Sequence, residues 1–133
     1  MKLKLVLLLL LPLLAFGQLR DSVYVKTDIF ETMYSETLEQ PLWVKYKVLC
    51  TNGNASRKGM DFYTVPGYKT SDAKDYVTNV YDKGHMAPAA DFSCTPEMLK
   101  KTFSYLNCSL QQQDLNRVHW RLLEDYERLL AYV

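Results

Sequence analysis

The strongest constraint on this chain comes from the stretch 115–133. Apolar side chains recur there at three and four residues, at Leu115, Val118, Leu122, Leu123, Tyr126, Leu129, Leu130 and Val133, a spacing that gathers them on one side of a helix. Such a helix needs a surface to cover its apolar side. The segment 41–49 (PLWVKYKVL) alternates, with Leu42, Val44, Tyr46 and Val48 opposite Trp43, Lys45 and Lys47, as a half-buried strand does. Residues 23–26 and 29–34 are rich in β-branched and aromatic side chains and predict two further strands. The expected class is therefore α+β. Asp114 is positioned to cap the long helix, and Trp120, four residues after Asn116, to anchor it against the sheet. The apolar row is still running at Val133 with no glycine or other stop signal, which predicts an incomplete domain.

The chain has 133 residues, 48% hydrophobic and 23% charged, which suits one globular domain and excludes a disordered or fibrous chain. It begins with Lys2 and Lys4, continues in an apolar run over 5–14, and reaches Ala15 and Gly17 before Gln18. That order is the grammar of a cleaved export signal. The run falls short of the roughly 20 residues a bilayer requires, and Pro12 interrupts it. Residues 1–17 are thus expected to be a signal peptide and 18–133 an exported domain, secreted or periplasmic, with no stable membrane association. Lys and Arg total 16 against 15 Asp and Glu; without Lys2 and Lys4 the balance is 14 against 15. Net charge draws no polyanion, so any nucleic-acid contact must come from a local cluster of donors.

Cys50, Cys94 and Cys108 are odd in number, so at least one is unpaired within the chain. Buried free thiols and any of the three pairings remain open, and no C-x-x-C spacing suggests structural zinc. The stretch 51–71 opens on TNGNA and carries Gly59, Pro66 and Gly67 without a sustained period, so it reads as a long connecting loop, made basic by Arg57 and Lys58. Thr95 before Pro96 predicts a short helix over Pro96–Lys101. Residues 103–107 read as a brief strand.

Asp82-Lys83-Gly84-His85 puts an imidazole beside an acid and a cation, ahead of a segment, MAPAADF, that suits neither a long helix nor a regular strand. Histidine, with a pKa near 6.5, can take a proton from water near neutral pH, and a neighbouring carboxylate or carbonyl can orient its ring. Downstream, Asn107, Gln111, Asn116 and Glu124 supply the oxygens and amides that suit a hard ion such as Mg²⁺. On an ideal helix Asn116 and Glu124 lie about 12 Å apart along the axis and about 80° apart around it. One is therefore expected to touch an ion and the other to act through water.

Taken together, DKGHMAPAADF followed by TFSYLNCSLQQQDLNRVHWRLLEDYER resembles the DNA/RNA non-specific endonucleases, a family of ββα-metal nucleases that includes endonuclease G. The family's DRGH falls on 82–85, its N-x-x-P-Q on 107–111, and its L-N-x-x-x-W-x-x-x-E on 115–124. The resemblance implies an α+β fold with a ββα-metal core, an antiparallel sheet and a metal-binding helix. It also implies that the C-terminal part of the family domain is missing. His85 would be the general base, Asn116 the direct ligand of one hydrated Mg²⁺, with Mn²⁺ as a possible substitute, and Glu124 the holder of a metal-bound water. Asn107 would be a catalytic residue that positions groups around the site, and Gln111 would support the same loop and bind substrate. DNA and RNA would be bound through their phosphates by Lys83 and Arg57.

The chain departs from the family pattern in places. Lys83 replaces the arginine of DRGH and lacks its planar fork. Leu110 stands where the family has proline, and Arg57 is the best counterpart of an upstream family arginine. His119 is read as a helix-surface residue, and Asp91 as capping or orienting the motif loop. The competing expectation is a catalytically inactive nuclease-like fragment, or a nucleic-acid-binding protein that keeps the motif.

Overall fold

Thr27 turns the chain between its first two strands: its Oγ1 accepts from the Ile29 and Phe30 amides and donates to the Phe30 carbonyl at 2.8 Å. The computed structural model describes residues 21–132, so the expected signal peptide lies outside the described residues. β1 (Ser22–Lys26), β2 (Phe30–Ser35) and β3 (Gln40–Tyr46) form an antiparallel sheet in that order, with Val25 opposite Thr32 and Thr32 opposite Val44. The three strands follow the β-branched and aromatic pattern, except that β3 ends at Tyr46 rather than Leu49.

A second, two-stranded antiparallel sheet pairs β4 (Tyr81–His85) with β5 (Cys108–Gln112), His85 facing Cys108 and Asp82 facing Gln111. The Asp82–His85 motif is therefore a strand. The strand expected over 103–107 is instead a tight turn, Tyr105–Asn107, capped by Ser104 Oγ on the Leu106 amide. What remains of it is a parallel bridge between Tyr63 and Ser104. α1 (Pro96–Lys101) starts as the sequence predicts, with Thr95 Oγ1 accepting from the Met98 amide and Pro96 in the first turn.

The long helix departs from expectation at both ends. Its opening, Leu115–Trp120, is a wide π turn that runs into α2 (Arg121–Tyr132). Asp114 makes no side-chain cap; Gln112 Oε1 takes the Leu115 amide instead, at 2.7 Å. The apolar row is mostly uncovered, Leu122 at 55% and Leu129 at 60% exposure. The three-stranded sheet approaches the helix along β3 and the residues just after it, where Val44, Tyr46 and Val48 leave an open gap before Leu130.

The core lies between the three-stranded sheet and the segment that follows β4. Val25, Ile29, Phe30 and Tyr34 pack against Ala87, Phe92 and Leu106, and a smaller cluster joins Ala89, Leu99 and Phe103. Cys50 and Cys94 form a disulfide that staples the loop after β3 to this segment, and Cys108 is a buried free thiol beside the Tyr76 hydroxyl. Asn107 is fully buried, and every polar atom of its side chain meets backbone: Oδ1 accepts from Ala87 N at 2.7 Å, while Nδ2 donates to the carbonyls of Ala87 and Thr102, each at 2.9 Å.

Removing this amide strands three buried backbone groups. Asn107→Ala is expected to lower stability by about 3 kcal/mol or more in urea unfolding; an unchanged midpoint would show that the clamp holds little.

Candidate active site

Alternation along β4 gives its four motif residues two destinations. Gly84 has no room for a side chain, since a Cβ there would stand 2.1 Å from the side chain of Gln111. Lys83 and His85 point to the other side, into a cleft of about 490 Å³ that Arg57, Asn116 and Glu124 also line. Five of the seven residues singled out from sequence thus share one cavity. Asn107 does not line it but anchors the turn after His85, and Gln111 packs beneath Gly84 with its Oε1 buried and unpartnered. Neither is placed to touch a substrate in this cleft.

His85 is closed in. Its ring lies 4.6 Å from Phe62 and 4.6 Å from Phe103, its Nε2 is buried with no hydrogen-bond partner, and its carbonyl accepts from Trp120 Nε1 at 3.1 Å. Trp120 is therefore half-buried with its nitrogen committed to β4. Burial, aided by the nearby Arg57 charge, pushes the imidazole down to about 3, so the ring is a neutral proton acceptor across the physiological range. Among the described residues no carboxylate is bonded to the ring. Asp82, the acid of the motif, is engaged elsewhere: it accepts from Asn116 Nδ2 at 3.0 Å and from both arms of Arg117 at 2.8 and 2.7 Å. The Arg117 fork holds the Asp82 carboxyl below its ordinary range against the burial that opposes it.

That arrangement turns the Asn116 amide nitrogen toward Asp82 and leaves its oxygen as the atom open to a ligand. Asn116 and Glu124 come to one cleft because the π turn rotates less per residue than a regular helix, which cancels most of the expected angular offset. Burial pushes Glu124 up to about 7, Arg128 opposing and Asp91 adding to the shift. Among the described residues no group of three or more His, Cys, Asp and Glu side chains converges. An amide oxygen with one carboxyl across the cleft fits a hydrated hard cation that keeps most of its waters, and does not fit a dehydrated cage.

Cations surround the pair. Lys83 Nζ meets Asp61 at 2.9 Å and lies over the Tyr76 and Tyr105 rings. Arg121 and Arg128 line the cleft from the helix, Arg128 bound to buried Asp91 at 2.8 Å and to Asp125. The orienting role expected of Asp91 thus takes the form of an ion pair with α2. His119 is exposed. Arg121 and Arg128 could have been found from helical spacing, at five residues from Asn116 and four from Glu124; nothing local marks Asp61, Phe62 or Phe103.

Residues 16–132 match the family described as DNA/RNA non-specific endonuclease. The chain belongs to that family. It is 33% identical over 103 residues to the zebrafish (Danio rerio) "Nuclease EXOG, mitochondrial", covering 74% of this chain and 30% of that protein. It is 32% identical over 115 residues to a nuclease of Nostoc sp., covering 84% and 42%. Among solved structures an EndoG/EndoGI complex superposes with a TM-score of 0.70 at 27% identity, covering 80% of this chain and 47% of that one. The chain thus spans less than half the length of these relatives. As a member of the family it carries its arginine-less motif with Lys83 braced by Asp61, and at the family's proline position it uses the Leu110 amide to donate to Gln40 Oε1 at 2.9 Å.

Because Arg117 and Asp82 orient Asn116, Arg117→Ala and Asp82→Asn are each expected to weaken Mn²⁺ binding roughly 10-fold in titration calorimetry. Unaltered affinity in both would show that the amide needs no orienting partner.

Proposed function

We propose that this chain is a nuclease that hydrolyses phosphodiester bonds of DNA and RNA, with a divalent ion, Mg²⁺ or Mn²⁺, as its cofactor. The observation that carries the reading is the meeting of a neutral, unpartnered imidazole and an oriented asparagine amide in one cation-lined cleft. Family membership supports it, as do relatives named as nucleases.

His85 would take a proton from the water that attacks phosphorus through its imidazole, which is neutral and so free to accept one. Arg57, Lys83 and Arg121 would grip the phosphate, with Lys83 exchanging its Asp61 contact for a phosphate oxygen. Asn116 would hold the hydrated ion through its amide oxygen, with Glu124 bonded to a water of that ion. When bound, the ion supplies positive charge against the negative charge that grows on the departing oxygen. Contacts of this kind read phosphate and not base, which would make cleavage indifferent to sequence. We also propose export to an oxidising compartment, supported by the leader-like residues 1–17 and by the Cys50–Cys94 disulfide.

The full chain with Mg²⁺ is expected to nick supercoiled plasmid and degrade RNA, to stop in EDTA, and to lose at least about 100-fold in rate as His85→Ala. A folded chain that retards DNA on a gel without ever nicking it would overturn the reading in favour of a binding protein.

A further inference from the structure

We propose that Phe62 and Phe103 are positioning residues for His85, an aromatic corner that fixes the imidazole in place of a carboxylate partner. This rests on the reading of His85 as the base. A general base needs its ring held at a set angle, and the ordinary device is a hydrogen bond from the second ring nitrogen to a carboxylate or carbonyl. Here the nearest acid in sequence, Asp82, is committed to Arg117 and Asn116. Orientation must then come from packing.

The packing is suited to that. Phe103 meets the imidazole edge to face at 88°, and Phe62 meets it tilted at 46°, both with centroids 4.6 Å away. The two rings are themselves 5.4 Å apart, so they form a corner whose walls meet the imidazole at different interplanar angles and resist its rotation. The corner is itself braced, since Phe62 also packs on Tyr105 at 5.5 Å. Its two halves come from distant segments brought into register by backbone: Tyr63 N donates to Phe103 O at 2.9 Å and Tyr105 N to Tyr63 O at 3.0 Å. Trp120 Nε1 donates to the His85 carbonyl and so holds the backbone of the same residue. An aromatic wall also suits the protonated ring that the reaction would create, because the face of an arene attracts a cation.

The charged groups around the ring are Arg57 from the loop, Lys83 on its own strand, and Arg121, Glu124, Asp125 and Arg128 from the helix. Removing an aromatic wall leaves all six in place and admits water, so the histidine should regain basicity. The sign follows from burial: desolvation disfavours the charged form, and relieving it raises the pKa.

The test follows the imidazole carbon-bound protons of the metal-free full chain by NMR across pH 4 to 8. The chain has two histidines, His85 and His119, so His85→Gln assigns the signals. In the wild type His85 is expected to stay neutral over this range, whereas in Phe62→Ala and Phe103→Ala it should titrate at least about one pH unit higher than in the wild type. In plasmid cleavage with Mg²⁺ both variants should lose about 10-fold or more in kcat with little change in KM, and Phe62→Tyr should recover most of that loss. Where Phe62→Ala fails to fold, Phe62→Leu takes its place, with the same fall in kcat but a smaller change in titration. A folded Phe62 variant with wild-type titration and wild-type kcat overturns the aromatic corner. If the titration moves as expected while the wild type cleaves nothing, the corner stands and the nuclease reading fails.

Discussion

The site depends on one buried carboxamide. Asn107 binds the Ala87 amide and carbonyl and the Thr102 carbonyl, and its own carbonyl takes the Met86 amide at 2.9 Å. It therefore decides where β4 stops, two residues after Lys83, and ties that point to the end of α1 and the start of β5. Four hydrogen bonds inside a fully buried site leave the strand end little freedom. His85 is the last residue of that strand, so its position relative to the helix follows from the clamp.

From that fixed point the molecule divides its tasks between neighbours in sequence. Asp82 reaches the helix and orients Asn116; Lys83 and His85 enter the cleft; Gly84 must stay small so that Gln111 can close underneath. The helix answers with a π turn that brings Asn116 and Glu124 to the same cavity, and with Trp120 bonded back to β4. A neutral imidazole and a neutral amide face a cavity whose charged lining holds four cations, Arg57, Lys83, Arg121 and Arg128, against two acids, Glu124 and Asp125. Such a cavity favours an anionic ligand while leaving the proton acceptor uncharged.

Much of this was legible in the chain. The alternation of 41–49, the β-branched runs before it, and the Thr95–Pro96 start of α1 report local preferences, and the structure follows them. The spaced polar residues pointed to His85, Asn116, Glu124, Lys83 and Arg57, which do converge. What escaped was set by tertiary contacts. Gln112 displaces Asp114 as the cap because its side chain reaches the Leu115 amide first. The β4 strand has glycine and charged residues unsuited to a strand by propensity, and its pairing with β5 overrides that. Phe62 and Phe103 carry no local signature, since a parallel bridge between Tyr63 and Ser104 brings them together.

The central claim is that the Asn116 amide oxygen and the His85 ring face one space in which a hydrated cation and a phosphate meet. Anomalous diffraction from crystals grown with Mn²⁺ tests it most directly. The account requires a peak within bonding distance of Asn116 Oδ1, on the side of the cleft that His85 lines. A fully occupied peak elsewhere on the molecule, with Asn116 unliganded, would contradict it.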